Sequence, residues 1–260
     1  MKPEISLSVV RPGRVLRTLL VVIAVLAALS LLGQSVRFFL GYERALGFVP
    51  EFSVDHENNI PTYFSTVLLL GAALLLGVIT HVVRRTQQAF PRHWLGLSCI
   101  FVYLSVDEFA SLHERLREPV QYAFAPDGIF YFGWVIPALG LVVLFGLAYI
   151  RFFWHLPPRW KRLFLMSGGL YVGGSLGMEL VGGWYVEQHG VENMTYALIA
   201  TVEEVMEMSG MAVFLYTLLS YLNAHVSRIE LLLGEQEAPA GVELSGSNGR
   251  VTEEMGVLSN

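Results

Sequence analysis

Residues 62–83 read TYFSTVLLLGAALLLGVITHVV, and residues 129–150 read IFYFGWVIPALGLVVLFGLAYI. Neither stretch contains Asp, Glu, Lys or Arg. A helix of about 20 apolar residues crosses the hydrocarbon layer of a bilayer, where no water is present to satisfy an exposed backbone. These two segments therefore predict an all-α, polytopic membrane protein.

The composition of the whole chain agrees with this class. Of its 260 residues, 54% are hydrophobic and 15% are charged, and the formal net charge is −5. This apolar content exceeds what the core of a water-soluble domain requires. We expect no nucleic-acid partner, because the chain lacks the excess of basic residues that such binding needs. The single cysteine, Cys99, excludes an intrachain disulfide.

Four further segments have the length of a span, although each contains or adjoins a charged residue. The six predicted transmembrane helices are 18–40, 62–83, 94–112, 129–150, 163–186 and 195–222. Residues 1–17 then form a cytoplasmic N-terminus, 18–222 a six-helix transmembrane domain, and 223–260 a cytoplasmic tail without periodicity, which predicts disorder. If the first span is instead a secretory signal, cleavage leaves five spans.

The basic residues are distributed unevenly among the connections. Thirteen of the 17 Lys and Arg residues precede the first span, follow the sixth, or lie between spans two and three or four and five. Cytoplasmic connections carry such an excess of basic residues. The pattern predicts that both termini face the cytoplasm.

Several carboxylic acids lie inside the predicted spans. They are Asp107, Glu108, Glu179, Glu203, Glu204 and Glu207. From the helical rise, Asp107 lies roughly 20 Å and Glu179 roughly 24 Å from the inner boundary, whereas Glu203 and Glu207 lie about 12 and 18 Å from the outer one. To within one helical turn, the acids therefore share the outward half of the bilayer. A charged carboxylate at mid-membrane costs at least about 2.5–3.5 kcal/mol, so we expect these side chains to face one another around a cation.

The stretch 105–114, SVDEFASLHE, is rich in groups that bind cations. On a continuous helix, Asp107, Ser111 and Glu114 would share one face, with His113 and Glu114 at the mouth of the site. The predicted ligands of a divalent metal of open identity are Asp107, Glu108, His113, Glu114, Glu179, Glu203, Glu204 and Glu207. The sequence assigns no catalytic residue, organic cofactor or substrate.

Several functions fit this pattern. A metal site could serve a hydrolase or an oxidoreductase, whereas exchangeable protons could serve a proton- or cation-coupled transporter. The acids could also bind a basic residue of a partner protein, or protonated acids could only bond neighbouring helices. A zinc site of His56, His113, His189 and Asp107 is a further alternative. No acidic step lies between Asp107 and the cytoplasm, which favours a site open on one side.

Three stretches carry a resemblance to other proteins. They are DHENNIPTYFS at 55–65, the stretch 105–114, and the EExxE of 203–207. Together they resemble a group of uncharacterised bacterial multi-pass membrane proteins. The resemblance implies a location in the bacterial inner (plasma) membrane and no particular activity. Within the first stretch, Asn59 or Thr62 and Pro61 have the pattern of a helix cap with proline in the first turn.

The fifth span contains small residues at a spacing of four. Gly169, Gly173 and Gly177 would lie on one side of a regular helix and allow another helix to approach closely. The row predicts a helix contact, either within the chain or in a homo-oligomer embedded in the lipid bilayer.

Overall fold

The structure, a computed structural model, describes residues 11–225, apart from the side chains at positions 117, 118, 121 and 124. Within this part of the chain no strand occurs. The helices are α1 (Pro12–Leu40), α2 (Phe48–Phe52), α3 (Ile60–Arg85), α4 (Pro91–Ala110), α5 (Leu112–Arg115), α6 (Arg117–Phe124), α7 (Val135–His155), α8 (Pro158–Val172), α9 (Glu179–His189) and α10 (Met194–His225). A π-helical segment, Gly173–Met178, joins α8 to α9.

Five helical stretches are long and apolar enough to cross a membrane. They are α1, α3, α7, the continuous stretch from α8 to α9, and α10. This is the architecture of a helical membrane protein. The remaining predicted span, the third, corresponds to the 20-residue α4, which does not reach the same apolarity. The charged residues Asp107 and Glu108 near its end explain the lower apolarity of α4.

Helix α10 lies at the centre of the bundle and packs against α1, α3 and α8, while α4 packs along α3. Two hydroxyls of α4 fix its contact with α3. Ser98 Oγ donates to the Ala73 carbonyl at 2.8 Å, and Ser105 Oγ donates to the Thr66 carbonyl at 3.0 Å. The end of the bundle at residues 41–59 is hereafter the acidic end. The opposite end, at Arg84 and Arg92, is the basic end.

The prediction for the end of the third span was wrong. Helix α4 ends at Ala110, and Ser111 adopts the left-handed conformation with φ of 50° and ψ of 46°. The chain changes direction there before α5 begins, so Asp107, Ser111 and Glu114 do not form a continuous helical row. A serine tolerates this conformation because its short side chain can form local hydrogen bonds.

The fourth span begins later than predicted. Residues Gly128–Phe130 form a 3₁₀ turn, and α7 starts at Val135 and continues to His155. Gly128 has φ of 60°, which ends any regular helix at that point. Helix α10 also exceeds its predicted end, reaching His225. The predicted disordered tail lies outside the described residues, except for its first three positions, which are helical.

The cap before the second span is confirmed. The Asn59 side chain accepts a hydrogen bond from the Thr62 amide at 3.2 Å, and Pro61 occupies the first turn of α3. The Asn59 amide nitrogen also donates to the carbonyl oxygens of Pro50 and Ser53. Asn59 therefore starts α3 and fastens the preceding loop at the acidic end.

The closest helix approach does not use the predicted glycine row. A Cβ at Gly174 would lie 2.9 Å from the Glu203 carbonyl oxygen, and one at Gly210 would lie 2.7 Å from the Tyr171 amide nitrogen. Of the predicted row, Gly173 faces Met206 of its own chain, while Gly169 and Gly177 have no neighbour within 4 Å. The homo-oligomer through Gly169, Gly173 and Gly177 stays a prediction.

Candidate functional site

The structure brings the intramembrane acids of three helical stretches together near the acidic end. Glu108 of α4 interacts electrostatically with Glu207 and Glu204 of α10, and Glu207 does so with Glu179 of α9. The carboxyl cluster, as named hereafter, comprises Glu57, Asp107, Glu108, Glu179, Glu203, Glu204 and Glu207. The helices that carry it have Lys or Arg only at their basic ends.

Glu179 connects two sides of the cluster. The Trp134 indole Nε1 donates a hydrogen bond to Glu179 Oε1 at 2.8 Å, and the Glu179 carboxyl lies close enough to that of Glu203 to interact electrostatically. The π-helical segment just before Glu179 inserts an extra residue into the turn and thereby rotates the side chains that follow by about 100° relative to α8. Its backbone approaches α10 closely at Gly174, which places Glu179 beside Glu203.

The Glu203 carboxyl is crowded by those of Glu179, Glu207 and Glu204. Like charges at short range raise one another's proton affinity. The arrangement therefore favours protonated carboxyls or a bound cation over a set of free carboxylates.

His113 is the basic group that the structure places at the cluster. Its Nδ1 lies 3.0 Å from Asp107 Oδ2, and its ring packs against Trp134 with a centroid distance of 5.0 Å. Burial lowers the pKa of His113, but the hydrogen bond to Asp107 and the charges of Asp107, Glu57 and Glu108 outweigh it, so the pKa is raised. His113 therefore favours its cationic form next to the acids. Glu114, also a predicted ligand, is exposed at the rim.

Glu57 is a member of the cluster that sequence reasoning missed. Burial and the neighbouring charge of Glu114 raise its pKa, while His113 and a hydrogen bond with Ser111 partly offset this. The left-handed Ser111 that ends α4 thus supplies a partner for the loop acid. The sequence signal was the run DHENN before a span, which was interpreted as a cap alone.

An open cleft leads toward the cluster at the acidic end. It has a volume of about 450 Å³ and is lined by Glu57, Asn58, Ala110, Ser111, Glu114 and Arg115. Two buried oxygens of the cluster, Glu57 Oε2 and Asp107 Oδ1, have no hydrogen-bond partner. Such groups are costly to bury without a partner, so they favour a cationic or hydrogen-bonding ligand.

Aromatic rings close the side of the cluster that faces the basic end. The Phe214 ring of α10 stacks on Phe101 of α4 at 4.7 Å and meets Phe164 of α8 edge-on at 5.5 Å. Each ring lies seven residues, or about 10 Å along its helix, from a polar residue. The pairs are Phe214 with Glu207, Phe101 with Glu108, and Phe164 with Tyr171. Three helices therefore contribute an aromatic layer below a layer of acids and one hydroxyl.

The other histidines proposed for a zinc site are engaged elsewhere. His56 Nδ1 lies 2.9 Å from Ser53 Oγ, and the His189 ring stacks on Tyr185 with centroids 4.5 Å apart. Among residues 11–225, no group of three or more His, Cys, Asp or Glu side chains has the arrangement that holds a metal ion.

The fold and the site together define a class: a helical membrane protein with a carboxyl cluster near one end of its bundle. Comparison with known proteins adds the family. The chain belongs to the family described as "Domain of unknown function (DUF8692)", whose model matches residues 15–222. The match covers every helix that contributes to the carboxyl cluster. No curated protein and no solved structure matches the chain.

Proposed function

We propose that this protein is a six-span protein of a bacterial inner membrane whose carboxyl cluster binds a cation from the outer side and releases protons in exchange. The distribution of Lys and Arg supports cytoplasmic termini, which places the acidic end outside. Helix α4 serves as the sixth span, because its 20 residues pack along α3 and are long enough to cross the hydrocarbon layer.

The observation that carries the proposal is the crowding of the Glu203 carboxyl by those of Glu179, Glu207 and Glu204. Protons on these carboxyls make the crowding of acids tolerable while no other cation is bound. An entering cation lowers the proton affinity of the carboxyls and displaces protons. A divalent cation that displaces two protons, or a monovalent cation that displaces one, leaves the charge of the buried region unchanged.

The aromatic layer supports access from one side. A transporter would have to open the stack of Phe101, Phe164 and Phe214 to deliver its cargo to the cytoplasm. A binding protein or an enzyme that works from the outer side needs no such movement. Proton- or cation-coupled transport is the alternative that this layer disfavours.

A divalent metal is the first cation to test, because carboxylate oxygens are its usual ligands. With a metal held by Asp107, Glu108, Glu179, Glu203, Glu204 or Glu207, the His113 ring at the mouth would be positioned to exchange a proton with a substrate. This is the form in which the site would act as a hydrolase or an oxidoreductase.

The experiment measures cation binding and proton release together. The full chain in lipid nanodiscs is titrated with Mn²⁺ or Zn²⁺ in a weakly buffered solution containing a pH indicator, and bound metal is counted by plasma mass spectrometry. We expect saturable proton release that Glu203→Gln and Asp107→Asn abolish. Glu43→Gln changes an exposed acid outside the cluster and should behave as wild type.

Two results would contradict the proposal. One is metal binding without proton release in the wild-type protein. The other is unchanged binding and release in both amide variants, since acids that only bond helices tolerate an isosteric amide.

A further inference from the structure

The middle of α7 stands apart from the rest of the bundle. All residues from 140 to 148 are exposed. Successive helical residues point in directions about 100° apart, and Leu141, Val142, Val143 and Leu144 are 64%, 37%, 61% and 63% exposed. A helix that packs on a bundle buries one face, whereas this stretch of about two and a half turns contains no buried residue.

Both ends of α7 are nevertheless anchored. At the acidic end, Val135 is fully buried and packs in a cluster with Leu176 and Val186. At the basic end, Phe152 is buried against Trp94, and the Tyr149 hydroxyl donates to the His93 carbonyl at 3.2 Å. Helix α7 therefore bridges from the π-helical segment and α9 to the start of α4. The uncovered stretch between these two anchors is hereafter the gap.

One face of α4 leads from this gap to the carboxyl cluster. The Tyr149 hydroxyl interacts electrostatically with the Cys99 thiol, and Cys99 is exposed. Tyr103, four residues further, is 55% exposed and interacts with Asp107. Residues at this spacing lie on one side of a helix, so Cys99, Tyr103 and Asp107 mark a path about 12 Å long.

We infer that this gap admits, from the lipid phase, a single-chain amphiphile whose ammonium head group binds the carboxyl cluster. The inference rests on the proposed cation site and names the class of its ligand. An ammonium group donates three hydrogen bonds, and the cluster offers an excess of acceptors, including the unpartnered Asp107 Oδ1. The path from Asp107 to Cys99 has the length of a medium alkyl chain such as decyl.

Charge complementarity determines which amphiphile is selected. A lipid chain in the bilayer is already out of water, so its transfer into the gap brings little hydrophobic gain. Recognition then depends on the head group, and the acids repel a carboxylate or phosphate. A primary amine with a Lys-like pKa is cationic at neutral pH and satisfies this requirement.

Cys99 is the only cysteine of the chain and reports on the gap directly. The full chain in nanodiscs is labelled with a lipid-soluble maleimide in the presence of decylamine, decanol, decanoate or ethylamine. We expect decylamine alone to slow labelling, by about tenfold at saturation, because only its chain reaches Cys99 from a head group held at Asp107. Asp107→Asn should remove the protection, and Glu43→Gln should retain it.

Each other outcome overturns the inference in a distinguishable way. Equal protection by decylamine and decanol would mean that the head group is not recognised. If ethylamine or Mn²⁺ releases protons but decylamine does not protect Cys99, the cation site stands and the amphiphile is wrong. If no cation releases protons, the proposed function fails as well. Cys99 could also be labelled slowly in the absence of any ligand. If this slow labelling becomes fast when each nanodisc holds one chain, a second copy of the protein fills the gap.

Discussion

Substitution of Gly210 by alanine tests how the carboxyl cluster is positioned. An added Cβ would lie 2.7 Å from the Tyr171 amide nitrogen and 2.9 Å from the Ser167 carbonyl oxygen. Ordinary contact requires about 3.5 Å, so α8 must move away from α10 by roughly 0.8 Å. Both obstructing atoms belong to the backbone and cannot rotate aside.

The energetic consequence has opposite signs at two glycines. Overpacking costs about 1–3 kcal/mol, and alanine recovers about 1 kcal/mol of helix propensity. Gly210→Ala should therefore lower the free energy of unfolding by up to about 2 kcal/mol. At Gly146 no atom lies within 4 Å, so Gly146→Ala should leave it unchanged or raise it by up to about 1 kcal/mol.

The assay is reversible unfolding in mixed micelles, with increasing SDS as the denaturant and tryptophan fluorescence as the signal. The cation-induced proton release of folded Gly210→Ala should also fall, because a displaced α8 carries Glu179 away from Glu203. A Gly210→Ala protein that is more stable than wild type would refute the close packing of α8 on α10, with Gly146→Ala measured alongside as the control.

Three further predictions concern the acidic end. Asn59→Ala removes the cap of α3 and two loop contacts, and should lower the free energy of unfolding by about 1–2 kcal/mol in the same assay; an unchanged value would contradict the role of the cap. Trp134→Phe removes the hydrogen-bond donor to Glu179 and should lower the free energy of unfolding by about 1 kcal/mol. The same substitution in a Glu179→Gln protein should have no such effect if the pair is responsible. The pKa of His113 is raised by folding, so the stabilisation from its pair with Asp107 is complete below about pH 6.5 and is lost as the pH rises through the folded pKa. The thermal unfolding midpoints of wild type and His113→Gln, measured between about pH 5 and 9, should therefore converge at the alkaline end. A difference between the midpoints that stays constant with pH would argue against the charged pair.

Local sequence determined the membrane class and the acids within it. Apolar length is a property of each segment by itself, so 62–83 and 195–222 were recognisable without knowledge of their neighbours. The same holds for the cap at Asn59, whose partner lies three residues away. The depth estimate also brought Asp107, Glu179 and Glu203 to one level, because helical rise is nearly constant.

Tertiary structure alone decided how those acids meet. The end of α4 at Ser111 and the π-helical turn before Glu179 change side-chain directions in ways that a fixed helical period cannot anticipate. The choice of Gly174 and Gly210 over the row at Gly169 and Gly177 depended on which backbone approached α10. The exposed middle of α7 also depends on tertiary structure. An apolar sequence shows that a helix face avoids water, whereas only the packed bundle determines whether protein or lipid covers that face.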